Sequence, residues 1–397
     1  MTNHLPLAGL KIVDLTNIIM GPYTTQLLGD LGADIIKVED INGDMTRNIG
    51  VQKSSNMSSM YLGVNRNKRS IVLDLKKNIS KKVLWKLIKK SDVFIHNMRP
   101  TKISKLGFSP IKIKKQNKKM IFVGLYGYGK YGEYTEQPAF DDIIQGQSGL
   151  ASLYHSRNKE PSFVPSVIAD KTIGLLASTA LLAAYIKSLK TGEGSCVEVA
   201  MLEGMASYTL LEHQHGQIFS PSRASIGYPR LLSKRRKPYK TKDGYMCILP
   251  YTNKQWFNFF EIIKKKNLKD DKKFSNIKAR SKDINLLYKL VEESVKKKTS
   301  AQLCKLFKKN DIPHGKVNTL DALRTDKHLK KVNFFRKIKH PSEGSILLPD
   351  TGIKINNESL PIRKHQPTLG ENSKEILEEV GYSSAEIKKI LELNKSS

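Results

Sequence analysis

The side chain best placed to do covalent chemistry is Asp170, within the stretch PSFVPSVIADKTIGLLASTALLAAYIKSLKTGEGSCVEV from Pro161 to Val199. An extended approach containing Pro165 gives way at Asp170 to an apolar helical pattern through Ile173, Leu175, Leu176, Ala180, Leu181, Ala184 and Tyr185. Thr191-Gly192-Glu193-Gly194 ends the pattern, and Cys196-Val197-Glu198-Val199 reads as a strand. A carboxylate at a helix mouth can accept the free N–H groups of the first turn, and the positive end of the helix dipole favours its ionised form. Asp is among the residues preferred at a helix cap. Position alone favours the cap.

Two other stretches have the composition to meet an anionic ligand. Asn65-Arg66-Asn67-Lys68-Arg69-Ser70 leads into the strand-like run Ile71 to Lys76. Such a basic turn is either a solvated hairpin corner or a phosphate clamp, since Arg and Lys pair with phosphates. The apolar strand Asp92-Val93-Phe94-Ile95-His96 ends in Asn97-Met98-Arg99-Pro100. Polar residues at the carboxyl end of a strand sit where open α/β sheets bind ligands.

The elements that must carry these residues are legible from the amino terminus onward. Leu10 to Leu15 reads as a buried strand; a helix opened by Gly21-Pro22 and stopped at Gly32 follows, and Asp34 to Glu39 is a second strand. This strand–helix–strand unit seeds a parallel, doubly wound sheet. The first turn, Asn17-Ile18-Ile19-Met20-Gly21-Pro22, has one glycine where a dinucleotide fingerprint needs three, which argues against a nicotinamide or flavin site. A helix around Val83 to Ile88 precedes the Asp92 strand. Beyond Val199, Met201 to Tyr208 continues as helix; His213 and His215 fall on different helix faces and form no metal pair. Asp243-Gly244 is a turn between strand-like runs, Tyr245 to Leu249 opens a smaller domain, and helical patterns cover Gln255 to Ile263 and Ile284 to Lys308. Asp311 begins a return, and Glu371 to Val380 is an amphipathic helix ending at Gly381.

Composition limits the function classes. With 397 residues, 39% of them hydrophobic, the chain can build a full core as two domains. Cys196, Cys247 and Cys304 have neither disulfide nor metal-ligand spacing, so no metal is expected and a reducing cytoplasm fits. No secretory leader pattern opens the chain, and the apolar run Ile173 to Ile186 reads as too short to span a bilayer, so a soluble protein without a membrane partner is expected. The net charge of +31, from 68 Lys and Arg against 37 Asp and Glu, invites a nucleic-acid reading. But the lysine runs, such as Lys112 to Lys119 and Lys264 to Lys273, lack interleaved aromatic residues. They read as solvated faces that also attract small polyanions.

The blocks LAGLKIVDLTNIIMGPYTTQLLGDLGADIIKVED…GDMTR, NRNKRSIVLDLK, DVFIHNMRP, FDDIIQGQSGL and VIADKTIGLLASTALLAAYIKSLKTGEGSCVEV follow one another in an order that resembles the family III coenzyme A transferases, the group named for carnitine and bile-acid CoA enzymes. KPYKTKDGYMCI, IPHGKVNTLDAL and PTLGENSKEILEEVGYS resemble that family's later motifs, so the likeness runs along nearly the whole chain. The resemblance implies an α/β fold with a Rossmann-like large domain, a smaller α+β domain, and a homodimer of interlocked rings. It places the large domain at 1–200, linkers at 201–225 and 311–335, the small domain at 226–310, and a closing segment at 336–397.

By the same resemblance Asp170 is the nucleophile of a CoA transfer from an acyl-CoA to a carboxylic acid, with no tightly bound cofactor. Leu73, Lys76, Asn97, Met98, Arg99 and Lys105 are the implied CoA contacts. Family members that handle formyl and oxalyl groups carry a Gln two places before the first-turn Gly-Pro, an Arg after the second strand and a glycine-rich loop. Here Ile19 and Asp40 stand at those two places and the loop is missing, which argues against formate and oxalate. The 2-methylacyl-CoA racemases of the same fold use a His-Asp pair where this chain has Phe140-Asp141. Phe140 can neither take nor give a proton, so racemisation is the second reading, and a basic nucleic-acid-binding protein is the alternative of another class. Asp141 is either an assisting group or a loop or cap carboxylate.

Overall fold

The computed structural model describes residues 5–394, without the side chains of residues 157 and 158; the outermost residues of the expected first and last segments lie outside the described residues. Two compact units are present: one comprises residues up to 150, 163–209 and from 333 on, the other residues 151–162 and 210–332. These bounds differ from the expected ones. Residues 151–162 leave the large unit, and the expected linker from 201 begins as a helix that runs to His213.

The large unit is built on six parallel strands in the order β3-β2-β1-β4-β5-β6. They are β1 (Lys11–Leu15), β2 (Asp34–Glu39), β3 (Lys68–Val72), β4 (Val93–His96), β5 (Ile121–Tyr126) and β6 (Cys196–Ala200). The central strands β4 and β5 are buried from end to end, and β1 beyond its exposed first residue Lys11, as expected when helices cover both faces of a parallel sheet. The helices are α1 (Met20–Asp30), α2 (Ser59–Val64), α3 (Asn78–Lys89), α4 (Pro100–Leu106), α5 (Pro110–Gln116) and α6 (Asp141–Gln147). After α7 (His155–Asn158), which belongs to the other unit, come α8 (Ile168–Thr191) and α9 (Met201–His213). One apolar layer joins Leu28, Ile35, Ile95 and Val123 to Ile144, Ile173 and Leu181. The other joins Val13, Phe94 and Phe122 to Val83 and Leu87, and to Ile376 and Ile387 of the two closing helices, Ser373–Glu379 and Ser384–Leu393.

The α8 helix carries Asp170 and stops at Gly192, whose φ of 71° is a left-handed cap. Contrary to the sequence expectation, it is long and apolar enough to cross a membrane by length and composition alone. Its Ile173, Ala177 and Leu181 are fully buried in the large unit's core. The α1 and α8 helices meet at Gly174, where an added Cβ would lie 3.0 Å from the Tyr23 ring and 3.1 Å from the Met20 carbonyl oxygen. Thr24 Oγ1 also donates to the Gly174 carbonyl at 3.1 Å.

The second unit folds around Trp256, Phe259, Phe260, Leu287, Val291 and Phe307. A three-stranded antiparallel sheet of β7 (Tyr239–Lys240), β8 (Tyr245–Ile248) and β9 (His314–Lys316) packs with its helices. The helical run expected over Ile284 to Lys308 is two helices, Ile284–Val295 and Ser300–Lys309. Thr299 breaks it by forming a capping box with Gln302, a signal present in the sequence as Thr-x-x-Gln.

Candidate active site

Between β1 and β4 the strand order changes direction, and the chain leaves the sheet from each on the way to a different helix. Open α/β sheets form their ligand crevice at such a point, outside the carboxyl ends of the strands. A cavity of about 490 Å³ lies there, lined by residues 15–18 after β1, 38–40 after β2, 73–76 after β3 and 97–99 after β4, together with Phe140 and Asp170.

Asp170 reaches this cavity from the first turn of α8, as its third residue; the cap position belongs to Val167, which makes no side-chain hydrogen bond. The expectation that Asp170 caps its own helix is therefore corrected. The acceptor for that helix end comes from elsewhere. Asp141, buried at the start of α6, takes the Asp170 backbone N–H on Oδ2 at 2.9 Å. Its other oxygen takes Gln145 Nε2 at 2.6 Å, and Gln145 Oε1 accepts the Val164 N–H at 2.9 Å, which anchors the extended approach to α8. Of the two readings of Asp141, the geometry shows a remote cap that holds the backbone of Asp170.

The start of α1 has no cap of its own either, since Ile19 at its cap position makes no side-chain hydrogen bond. Burial, then the negative charge of Asp141, push the Asp170 carboxyl up to about 7, against a weaker opposing pull from the Met20 backbone. A helix end was expected to keep this group fully anionic. Burial and a like charge outweigh it, so Asp170 ionises near neutrality.

The loop from β1 to α1 is held by Asn17, Asp44 and Lys37, which the sequence reading did not single out, and by Asn97, which it did. Asn17 Oδ1 accepts the N–H of Ile18 at 2.7 Å and of Met45 at 3.0 Å. The Asn97 amide grips the Asn17 backbone from both sides, accepting its N–H at 3.1 Å and donating to its carbonyl at 2.8 Å. Asp44 Oδ1 accepts the Ile18 N–H at 3.2 Å, and its Oδ2 pairs with the buried Lys37 ammonium at 2.7 Å. Lys37 also donates to the Thr16 carbonyl at 2.9 Å. Burial alone would raise the Asp44 carboxyl, but Lys37 holds it below the ordinary range. Ile18 itself has a φ of 74°, a conformation that a β-branched side chain rarely takes.

The implied CoA contacts divide. Leu73, Lys76, Asn97, Met98 and Arg99 line the cavity, whereas Lys105 lies exposed and off its wall; Lys102 stands on it instead. Along α4, residues 99, 102 and 106 share a face, and 105 is turned away from it, a spacing signal that was available in the sequence. Asn97 is occupied with Asn17, which makes it a brace as much as a ligand group. Arg99 donates to the Glu136 carbonyl at 2.7 Å.

The basic turn is neither a solvated corner nor a phosphate clamp. It enters β3, which pairs in parallel with β2, and its charges are buried against acids. Arg66 pairs with Asp30 at 2.7 Å, Lys68 with Asp14 at 3.3 Å, and Arg69 with Asp34 at 2.7 Å and Glu379 at 2.6 Å. Beside them Arg47 forms a two-pronged pair with Glu39 at 2.8 and 2.7 Å.

The family model described as CoA-transferase family III matches residues 7–373. The chain belongs to that family. It is 29% identical to the succinyl-CoA:glutarate CoA-transferase of Homo sapiens over 388 residues, covering 96% of this chain and 87% of that protein. It is 30% identical to the formyl-CoA:oxalate CoA-transferase of Rhodopseudomonas palustris (strain BisA53) over 411 residues, covering 97% and 96%. Among solved structures, a CAIB/BAIF family protein from Brucella suis superposes with a TM-score of 0.77 at 28% identity, covering 94% of this chain and 99% of that one. Family membership and the relatives' names support CoA transfer, with CoA thioesters as substrates, and do not favour the racemase reading. On the cavity wall the apolar ring of Phe140 stands where the racemase reading needs the histidine of its His-Asp pair.

Proposed function

We propose that this family III enzyme moves CoA from an acyl-CoA to a carboxylic acid through covalent intermediates on Asp170. The carrying observation is a carboxyl that lines the cavity on the first turn of α8 and has its backbone tied down by Asp141. In the first step an ionised Asp170 oxygen attacks the thioester carbonyl; the C–S bond breaks, giving a mixed anhydride and CoA thiolate. The thiolate then attacks the Asp170 carboxyl carbon and expels the donor acid as its carboxylate, leaving an aspartyl-CoA thioester. The acceptor carboxylate attacks that carbon and displaces the thiolate, forming a second anhydride. Attack of the thiolate on the acceptor's carbonyl releases the new thioester and restores the Asp170 carboxylate. Each step exchanges one oxygen or sulfur anion for another, so no external acid or oxidant is required. Lys76, Arg99 and Lys102 are suited to the phosphates of CoA.

Ile18, Met20 and Phe140 are among the residues that line the cavity and suit an acyl group with a carbon chain better than formate or oxalate. Succinyl-CoA with glutarate, the pair named for the human relative, is the first combination to test. We also propose a homodimer with the interlocked form of the family: Leu175, Leu176, Ile186 and Leu189 of α8 are 45 to 68% exposed and offer a second copy an apolar strip. Sedimentation at monomer mass from micromolar to millimolar concentration contradicts it.

The test of the chemistry is intact-protein mass spectrometry after mixing with succinyl-CoA, with and without hydroxylamine, on wild type and Asp170→Ala. A CoA-sized adduct on the wild type alone, converted by hydroxylamine to a hydroxamate at Asp170, is expected. An adduct of equal yield on Asp170→Ala refutes the assignment. Exchange of deuterium into C2 of a 2-methylacyl-CoA returns the racemase reading to first place.

A further inference from the structure

Arg99 differs from Arg47, Arg66 and Arg69 in what it faces. Each of those three meets a carboxylate at 2.7 Å. Arg99 lines the cavity and forms no ion pair among the described residues; its Nη1 donates instead to a neutral group, the Glu136 carbonyl, at 2.7 Å. The carboxylate of that same glutamate is occupied by the next residue but one. Thr101 gives its N–H to Oε1 at 3.2 Å and its hydroxyl to Oε2 at 2.7 Å. Glu136 therefore holds the beginning of α4 by main chain and side chain together, and leaves the Arg99 guanidinium without a carboxylate partner.

The loop that carries Glu136 runs from the end of β5 to the start of α6 and is fastened at its near end to other elements. Glu203 of α9 accepts the Gly129 N–H at 2.8 Å, and Glu198 of β6 accepts the Lys130 N–H at 2.7 Å. Gly129 has no room for a side chain, since an added Cβ would lie 2.3 Å from Glu203 Oε1. Thr135 Oγ1 reaches back to the Gly129 carbonyl at 2.9 Å and closes the exposed turn between them. Beyond Glu136 the chain becomes cavity wall at Gln137, Pro138 and Phe140. Glu136 itself stands off that wall, so its bonds to Thr101 and Arg99 are what it contributes to the site.

We propose that Glu136 is a positioning residue that presets Arg99 for a phosphate of CoA. This rests on the cavity being the acyl-CoA site. A guanidinium carries five N–H donors in one plane. Holding Nη1 on a neutral carbonyl fixes that plane, keeps the positive charge whole and leaves the remaining donors for the ligand. Rotamer freedom that Arg99 would otherwise lose on binding is removed before the phosphate arrives.

The sign of one substitution separates this from simple electrostatics. Taking away a negative charge beside a phosphate site would by itself tighten the binding of a polyanion. Glu136→Ala is expected to weaken it, raising the Kd for CoA in isothermal titration calorimetry about 3- to 10-fold, because the bonds to Thr101 are lost. Thr101→Val, which changes no charge, should act in the same direction. Glu136→Gln keeps an oxygen acceptor for Thr101 and should stay within about threefold of wild type. At saturating acyl-CoA, kcat of all three should stay within about twofold of wild type, since the reacting atoms are untouched. In an Arg99→Ala background, Glu136→Ala should weaken CoA binding no further, as for two residues acting through one contact.

CoA binding to Glu136→Ala as tight as to wild type, or tighter, overturns the proposal. So does an equal loss from Glu136→Ala with and without Arg99. Wild type and Arg99→Ala binding CoA equally well would leave the CoA site in place and remove this role of Glu136. A wild-type protein that takes up no CoA would sink the reading of the cavity, and the assignment of Glu136 with it.

Discussion

Replacing Asp170 with asparagine removes the one ionisable group whose burial the proposed chemistry requires, and the consequence for stability follows from its surroundings. Burial and Asp141 lift its carboxyl from 3.8 to about 7. That is roughly three pH units at about 1.4 kcal/mol each, or about 4 kcal/mol. The side chain is partly exposed, so solvent screening reduces this to about 2 to 4 kcal/mol. The sign follows from proton binding. Between 3.8 and about 7 the unfolded chain has lost the Asp170 proton while the native protein keeps it, so the native state binds more protons and loses stability as pH rises. Above about 7 both states are ionised and the full cost of the buried charge is present. Asparagine has no charge to bury and nearly the same size. Asp170→Asn is therefore expected to be inactive yet more stable than wild type, by about 2 to 4 kcal/mol at pH 8, shrinking to about 1 kcal/mol or less at pH 4.5. Urea unfolding of both proteins at the two pH values measures the difference directly. A variant no more stable at pH 8, or equally stabilised at both pH values, refutes the account of the Asp170 environment.

The same ionisation governs the first covalent step: adduct formation measured in a single turnover should rise with pH through about 7, falling about tenfold per unit well below it. A rate flat from pH 5.5 to 8.5 contradicts this. Asp141→Ala removes both a helix-end acceptor and a like charge, so the protein should lose about 1 kcal/mol of stability while the midpoint of that pH profile moves down; a midpoint that stays or rises counts against the pairing. For the ligand, Lys76→Ala and Lys102→Ala should each raise KM for the acyl-CoA several-fold and weaken its salt dependence, whereas Lys105→Ala leaves both unchanged. Equal effects of Lys102 and Lys105 would place the CoA phosphates elsewhere on α4.

Local patterns made the large unit legible. The strand Asp34 to Glu39, the helix stopped at Gly192 and the strand from Cys196 all lie where apolar periodicity and turn residues put them. Asp170 was visible as a carboxylate near a helix start, but not as a group pushed toward neutrality, because Asp141, which holds its backbone and raises its carboxyl, lies 29 residues away in the chain and is brought there by tertiary packing. The basic turn failed for the same reason. Arg66, Lys68 and Arg69 look solvated beside their sequence neighbours, and their partners Asp30, Asp14, Asp34, Glu375 and Glu379 arrive from β1, α1, β2 and the closing helices. Lys102 was different, since helical spacing from Arg99 would have selected it over Lys105.

Gly174 lies one helical turn beyond Asp170, and nothing at that position touches the cavity. Its missing side chain nevertheless sets how closely α8, which carries Asp170, approaches α1, whose first residues line the cavity. A single methyl there would meet the Met20 carbonyl at 3.1 Å and act as a shim of a few tenths of an ångström between the two. The width of the cavity between these helix starts is thus an adjustable spacing, and side chains of graded size at 174 would turn the distance between α1 and α8 into an experimental dial.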